Sequence, residues 1–124
     1  MARLLVVDDD AQMRSLLQDT LVTDGHTITA VSSGVAALGL LQRSDFDLVI
    51  LDRRMPQMGG IETLKKIRGT SRCAKTKVLM CTSLGLMGQV DEAFKAGATD
   101  YIVKPLDLEK LRGKVKALTT GKLV

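Results

Sequence analysis

Apolar residues along the chain follow two alternating periods. Short continuous runs occupy residues 4–7, 48–51, 78–81 and 101–103, and a more β-branched run occupies 27–31. Four or five apolar residues without polar alternation predict a strand covered on both faces. The 27–31 run (Thr-Ile-Thr-Ala-Val) is less apolar and suits a place near a sheet edge. Between the runs, apolar residues recur at helical spacing. The first set is Met13, Leu16, Leu17 and Leu21, and the second is Val35, Ala36, Leu38 and Leu41. Three more follow: Ile61, Leu64 and Ile67; Val90, Ala93 and Phe94; and Leu108, Leu111, Val115 and Leu118. Breakers stand where these segments meet: Gly25, a capping Ser32 or Ser33, Gly59-Gly60, Gly69-Thr70-Ser71, Gly85 to Gly88, and Gly97. Five strands that return through helices predict an α/β domain with a doubly wound parallel sheet. At 124 residues, with no internal repeat or linker, one domain over residues 1–124 is expected.

The strand ends carry reactive side chains. The first run ends in Asp8-Asp9-Asp10, the third in Asp52, the fourth in Thr82 and the fifth in Lys104-Pro105. In a doubly wound sheet the ligand crevice lies at the carboxyl ends of the strands, so these residues are expected to converge. Three neighbouring aspartates repel one another unless a cation offsets them. Mg²⁺ suits such a site, because it takes few carboxylates and keeps several waters. Asp52 is then free to attack a phosphoryl donor, with Lys104 opposite it and the Thr82 hydroxyl donating to a phosphoryl oxygen. Arg53 is expected to point away from Asp52, while Arg54 has room to turn back toward it. Each residue alone also has a plainer reading. Asp10 reads equally as a helix cap, Asp52 as a turn residue, Thr82 or Ser83 as a cap, and Lys104 as a solvated lysine.

Composition removes several other classes. The net charge is +4, with six basic residues and one acid between Glu62 and Lys77, and five basic residues and two acids from Asp107 onward. These read as solvated faces, and direct nucleic-acid binding is not expected, because Phe46, Phe94 and Tyr101 are the only rings and both phenylalanines are expected to be buried. Cys73 and Cys81 have no metal-site spacing, and Cys81 reads as a small core residue. His26 precedes the second strand, away from the acids, so no histidine-activated nucleophile is supported. No Gly-x-x-x-x-Gly-Lys loop occurs, and no Gly-x-Gly-x-x-Gly opens the first helix. Without a membrane-length apolar run or a signal peptide, a cytoplasmic location and no membrane insertion are expected.

The chain resembles the receiver domain of two-component response regulators, the family of the single-domain chemotaxis regulator. The stretches that carry the resemblance are Leu4 to Asp10, Asp47 to Asp52 with Met55-Pro56 and Gly60, Val78 to Ser83, and Gly97 to Pro105. The resemblance covers residues 3 to about 119. It implies a flavodoxin-like fold, a five-stranded sheet in order 2-1-3-4-5 with five helices. It also implies that Asp52 accepts a phosphoryl group from a histidine kinase or a histidine phosphotransfer protein. Mg²⁺ would then be held by Asp9, Asp52 and the Arg54 backbone carbonyl, with Asp8 acting through a water. Thr82 and Lys104 would contact the phosphoryl group, the Lys104-Pro105 bond would be cis, and Thr82 and Tyr101 would act as switch residues. The resulting shift would remodel the face of the fourth helix, fifth strand and fifth helix toward a downstream protein or a fused output domain. The domain would be a monomer or a phosphorylation-dependent dimer. Its only enzymatic activity would be phosphorylation and dephosphorylation of its own Asp52.

Two features depart from the family pattern. Gly59 stands where an acid is usual in the Met55-Pro56-Gln57-Met58-Gly59-Gly60 stretch, and it is expected to loosen the start of the third helix. Arg54 and Leu84 flank the phosphoryl pocket in sequence and are expected to slow hydrolysis of the acyl phosphate. Two other readings remain open: the receiver part of a larger DNA-binding transcriptional regulator, and a receiver-like interaction module that is not phosphorylated.

Overall fold

The strands form where the apolar runs lie, and the computed structural model describes residues 2–55, 57–83 and 90–120. They are β1 (Arg3–Val7), β2 (Thr27–Val31), β3 (Leu48–Asp52), β4 (Lys77–Ser83) and β5 (Asp100–Lys104). All pairings are parallel, in the order β2-β1-β3-β4-β5. The three central strands are the most apolar, and the mixed β2 forms one edge as its composition predicts. The crossovers are α1 (Ala11–Val22), α2 (Gly34–Leu41), α3 (Gly60–Arg68) and α4 (Val90–Lys95), and α5 (Leu108–Thr119) closes the chain.

Strand alternation divides the core in two. Leu4, Val6, Leu48, Ile50, Leu79 and Cys81 face Leu17 and Leu21 of α1 and Leu111 and Val115 of α5. Leu5, Val7, Val49, Leu51, Val78 and Met80 face Ala37 and Leu41 of α2, Leu64 and Ile67 of α3, and Ala93 of α4. Each fully buried aliphatic side chain in these layers contributes about 1.5–3 kcal/mol of transfer free energy. Two layers of helices therefore clamp the central strands and hold their carboxyl ends in place.

The helix ends follow local chemistry. The Asp10 side chain accepts from the Gln12 N–H, Ser33 accepts from Ala36, and Asp107 accepts from Glu109 and Lys110. Gly25 and Gly97 both adopt positive φ, at 88° and 109°, where the chain leaves a helix for a strand. Arg68 ties two connections together, α3 to β4 and α4 to β5. Its guanidinium donates to the Gly97 carbonyl at 2.8 and 3.0 Å, to Thr76 at 2.6 Å and to Ala74 at 3.3 Å.

Three helices differ in phase from expectation. In α2, Gly34, Ala37 and Leu41 turn inward, whereas Val35 is 66 % exposed and Ala36 also faces solvent. Gly34 marks the reason, since a Cβ there would meet the Thr63 hydroxyl at 2.2 Å, so α2 and α3 pack through this glycine. Phe94 is 42 % exposed rather than buried, lying edge-to-face against Tyr101 with ring centroids 5.9 Å apart. In α1, Leu16 sits at the solvent margin while Leu17 and Leu21 are fully buried. Among the described residues no helix is long and apolar enough to cross a membrane.

Candidate functional site

β1 and β3 are the strands between which the strand order reverses; aspartate follows β1 directly and ends β3. Asp8 follows β1. Its backbone N–H donates to the Val31 carbonyl at 3.1 Å, and its carbonyl accepts from Arg14 Nη1 at 2.8 Å. Its Oδ1 accepts from the Asp10 N–H at 2.9 Å, so the start of α1 fixes this side chain. Asp52 ends β3 and is buried. The next backbone groups are pinned on both sides: the Arg53 N–H donates to the Cys81 carbonyl at 2.9 Å, and the Arg53 carbonyl accepts from Gly60 at 2.9 Å.

The fold brings the sequence-derived acids together. One carboxylate oxygen each from Asp8, Asp9 and Asp52 lies within 4.8 Å of the others. Lys104, at the end of β5, reaches across β4 to this cluster. Its ammonium donates to Asp52 Oδ1 at 3.0 Å and to Asp8 Oδ2 at 3.1 Å. The Lys104–Pro105 peptide is cis. Thr82 lies within β4, buried, and its hydroxyl has no hydrogen-bond partner among the described residues. A buried hydroxyl without a partner costs about 1–3 kcal/mol.

The electrostatics follow from burial and crowding. Burial pushes the Asp52 carboxyl above its ordinary value. The Lys104 hydrogen bond opposes that rise, the Asp8 charge adds to it, and a hydrogen bond from the Arg54 backbone lowers it again. The net direction is upward. Burial pulls the Lys104 ammonium down, but its bonds and charge interactions with Asp52 and Asp8 outweigh this and raise it. Burial also pushes the Cys81 thiol up to about 12, so the thiol beside Asp52 stays protonated and unreactive. Three carboxylates against one ammonium leave the cluster net negative, as a hard cation requires. The orphaned Thr82 hydroxyl in the same crevice matches an incoming acceptor oxygen. The donor set thus fits a Mg²⁺ ion beside a phosphoryl group.

The other sequence-derived residues fall near this cluster or apart from it. Arg54 contributes its backbone to Asp52 while its side chain is exposed. Arg53 points away, as strand alternation requires, and bonds Glu92 on α4, a partner that the sequence did not indicate. Tyr101 is half-buried, with the Lys114 ammonium 5.7 Å from its ring centroid. Leu84 lies outside the described residues. His26 is apart from the acids and accepts the Ala2 N–H at 3.2 Å. A cleft of about 530 Å³ at that opposite end borders Asp24, His26, Arg112 and Lys116. Arg112 already closes on Asp24 there at 2.7 and 2.9 Å, so that cleft is an ion-paired seam.

Comparison with known proteins agrees with this geometry. The response regulator receiver domain family matches residues 4–116. The chain is 41 % identical over 122 residues to the response regulator protein FleR of Pseudomonas aeruginosa, covering 98 % of this chain and 25 % of that one. It is 37 % identical over 110 residues to the chemotaxis protein CheY of Bacillus subtilis, covering 88 % of this chain and 90 % of that one. The solved chemotaxis response regulator CheY4 of Vibrio cholerae superposes with a TM-score of 0.89 at 33 % identity, over 95 % of this chain and 98 % of that one. The chain thus spans a quarter of FleR and nearly all of the chemotaxis proteins. With the acids, the lysine and the hydroxyl gathered at the carboxyl ends of a β2-β1-β3-β4-β5 sheet, the chain belongs to the response regulator receiver domain family of two-component signalling.

Proposed function

We propose that Asp52 is the phosphoacceptor of this receiver and that a histidine kinase or histidine phosphotransfer protein is the donor. The observation that carries the reading is Asp52 itself, a buried carboxylate bonded to Lys104 and within 4.8 Å of Asp8 and Asp9. Asp9, Asp52 and the Arg54 carbonyl would hold Mg²⁺, with Asp8 acting through a water. The ion would draw charge from the transferring oxygens. An Asp52 carboxylate oxygen forms the new O–P bond as the P–N bond of the donor phosphohistidine breaks and its imidazole nitrogen keeps the electron pair. Lys104 stays beside the new anion, and the Thr82 hydroxyl donates to one of its oxygens. Tyr101 then follows Thr82 inward and alters the face formed by α4, β5 and α5, where a cytoplasmic output partner docks. The receiver unit is taken as residues 1–124. Similarity to FleR over 98 % of the chain also supports a second setting, in which this unit controls a longer regulator.

Incubation with Mg²⁺ and acetyl phosphate, read by intact mass, tests the assignment. Wild type gains one phosphoryl group and Asp52→Asn gains none. Equal gain in the variant, or no gain in wild type even with a cognate kinase, removes Asp52 from this role. A further outcome concerns lifetime. The Arg54 cation, exposed two residues after Asp52, is proposed to neutralise the acyl phosphate, and Leu84 is two residues from Thr82 in sequence. The Arg54→Ala, Leu84→Ala double variant should lose its phosphoryl group about tenfold faster, equivalent to ~1.4 kcal/mol of barrier. Equal decay of the two proteins contradicts this.

A further inference from the structure

Arg53 follows the phosphoacceptor directly, and its backbone is fixed between β4 and α3 by the bonds to Cys81 and Gly60. Strand alternation sends its side chain to the opposite face from Asp52, toward α4. There the guanidinium bonds Glu92 Oε1. The two side chains differ sharply in exposure, at 9 % for Arg53 and 60 % for Glu92. A largely covered cation fixed just beyond the end of β3 therefore captures a carboxylate from a six-residue helix. Both residues border a cleft of about 440 Å³ between α3 and α4, together with Gly60 and Lys65.

Thr82 gives this pair its meaning. The Thr82 hydroxyl is buried without a partner among the described residues, so this arrangement carries a cost that a phosphoryl oxygen on Asp52 would relieve. α4 packs through Ala93 into the core layer that holds Met80 of β4. A bond that fixes α4 to β3 therefore restrains how far the end of β4 can move toward Asp52. We infer that the Arg53–Glu92 ion pair is a latch that holds α4 and β4 in the resting arrangement, making Arg53 a positioning residue that limits phosphoryl uptake at Asp52. Whatever draws Glu92 away, a basic partner surface on α4 included, speeds phosphorylation through this latch. The inference rests on Asp52 being the phosphoacceptor.

A double-mutant cycle tests it. Initial rates of phosphoryl uptake from acetyl phosphate at saturating Mg²⁺ are measured by intact mass for wild type, Arg53→Met, Glu92→Gln, the double variant and the charge swap Arg53→Glu, Glu92→Arg. Arg53→Met keeps the apolar stem, and Glu92→Gln alters an exposed group, so both variants retain the fold; their melting curves verify it. Each single variant should accelerate uptake by about two- to fivefold, the coupling range of a partly exposed ion pair. The double variant should gain no more than either single variant, and the swap should return toward the wild-type rate. Unchanged or slower uptake in the single variants, multiplying effects in the double variant, or a swap without rescue overturns the latch. Uptake by wild type with an additive cycle removes the latch alone, whereas no uptake by wild type removes the Asp52 assignment beneath it.

Discussion

Asp52→Asn loses phosphoryl uptake and yet, in Mg²⁺-free buffer, unfolds at a higher temperature than wild type. The reason lies in the charge balance of the crevice. Asp8 and Asp52 share the Lys104 ammonium and Asp9 lies within 4.8 Å of both, so removing one carboxylate relieves repulsion and leaves Lys104 its bond to Asp8 at 3.1 Å. Breaking a buried ion pair ordinarily costs about 3–5 kcal/mol because the surviving charge is stranded, but here Asp8 still faces it. Burial, the largest influence on Asp52, already pushes its carboxyl above the ordinary 3.8. Between that unfolded value and the raised folded value, the folded state holds a proton that the unfolded state has released. Stability therefore falls as pH rises through this window, and above it the full penalty persists at neutral pH. The variant escapes the penalty, with an expected gain of about 1 kcal/mol or roughly 4 °C. The gap should close as pH falls below the folded value. Saturating Mg²⁺ should reverse the order, because a ligand at about 100 times its Kd adds ~2.7 kcal/mol to wild type and less to a site lacking Asp52. Melting curves across pH, with and without chelator, measure all three effects. A lower midpoint for the variant in chelator, or parallel pH profiles, contradicts the argument.

The elements and the reactive strand ends were legible in the sequence for one shared reason. A strand buried on both faces must be apolar until it reaches the crevice, so Asp52 and Lys104 announce themselves as abrupt charges. The phase of α2 was not legible. Residues 34–41 read Gly-Val-Ala-Ala-Leu-Gly-Leu-Leu, with no polar face to mark the solvent side, and packing at Gly34 chose the orientation. Phe94 misled because aromatic residues usually seek the core, whereas α4 lies beside the edge strand β5 and leaves the ring half covered by Tyr101. The Arg53–Glu92 contact joins residues 39 apart in sequence, and neither lies in a pattern of its own. That Arg53 would point away from Asp52 followed from alternation; where its charge would find a partner depended on tertiary packing.

Gly60→Ala should be among the most damaging single-methyl changes in this protein, while Gly59→Ala beside it should be nearly silent. A Cβ at Gly60 would stand 2.3 Å from the Asp52 carbonyl oxygen and 2.7 Å from Arg53 Cα, both backbone atoms with no rotamer through which to yield. The Gly60 N–H also donates to the Arg53 carbonyl at 2.9 Å, so the first residue of α3 and the end of β3 are already in closest approach. Relief requires one of them to move, at an expected cost of about 3 kcal/mol or more. Any such movement shifts Asp52 against Lys104, so phosphoryl uptake should fall along with stability. At Gly59 the nearest neighbour of a Cβ is the Arg53 carbonyl oxygen at 3.6 Å, an ordinary contact. Its φ of −72° and ψ of 173° are open to any residue. Gly59 caps α3 without a side-chain hydrogen bond, so restoring the acid as Gly59→Asp should add a few tenths of a kcal/mol. Urea unfolding of the three variants measures the contrast. Comparable losses at both glycines would mean that the close approach of α3 to the end of β3 does not control this turn.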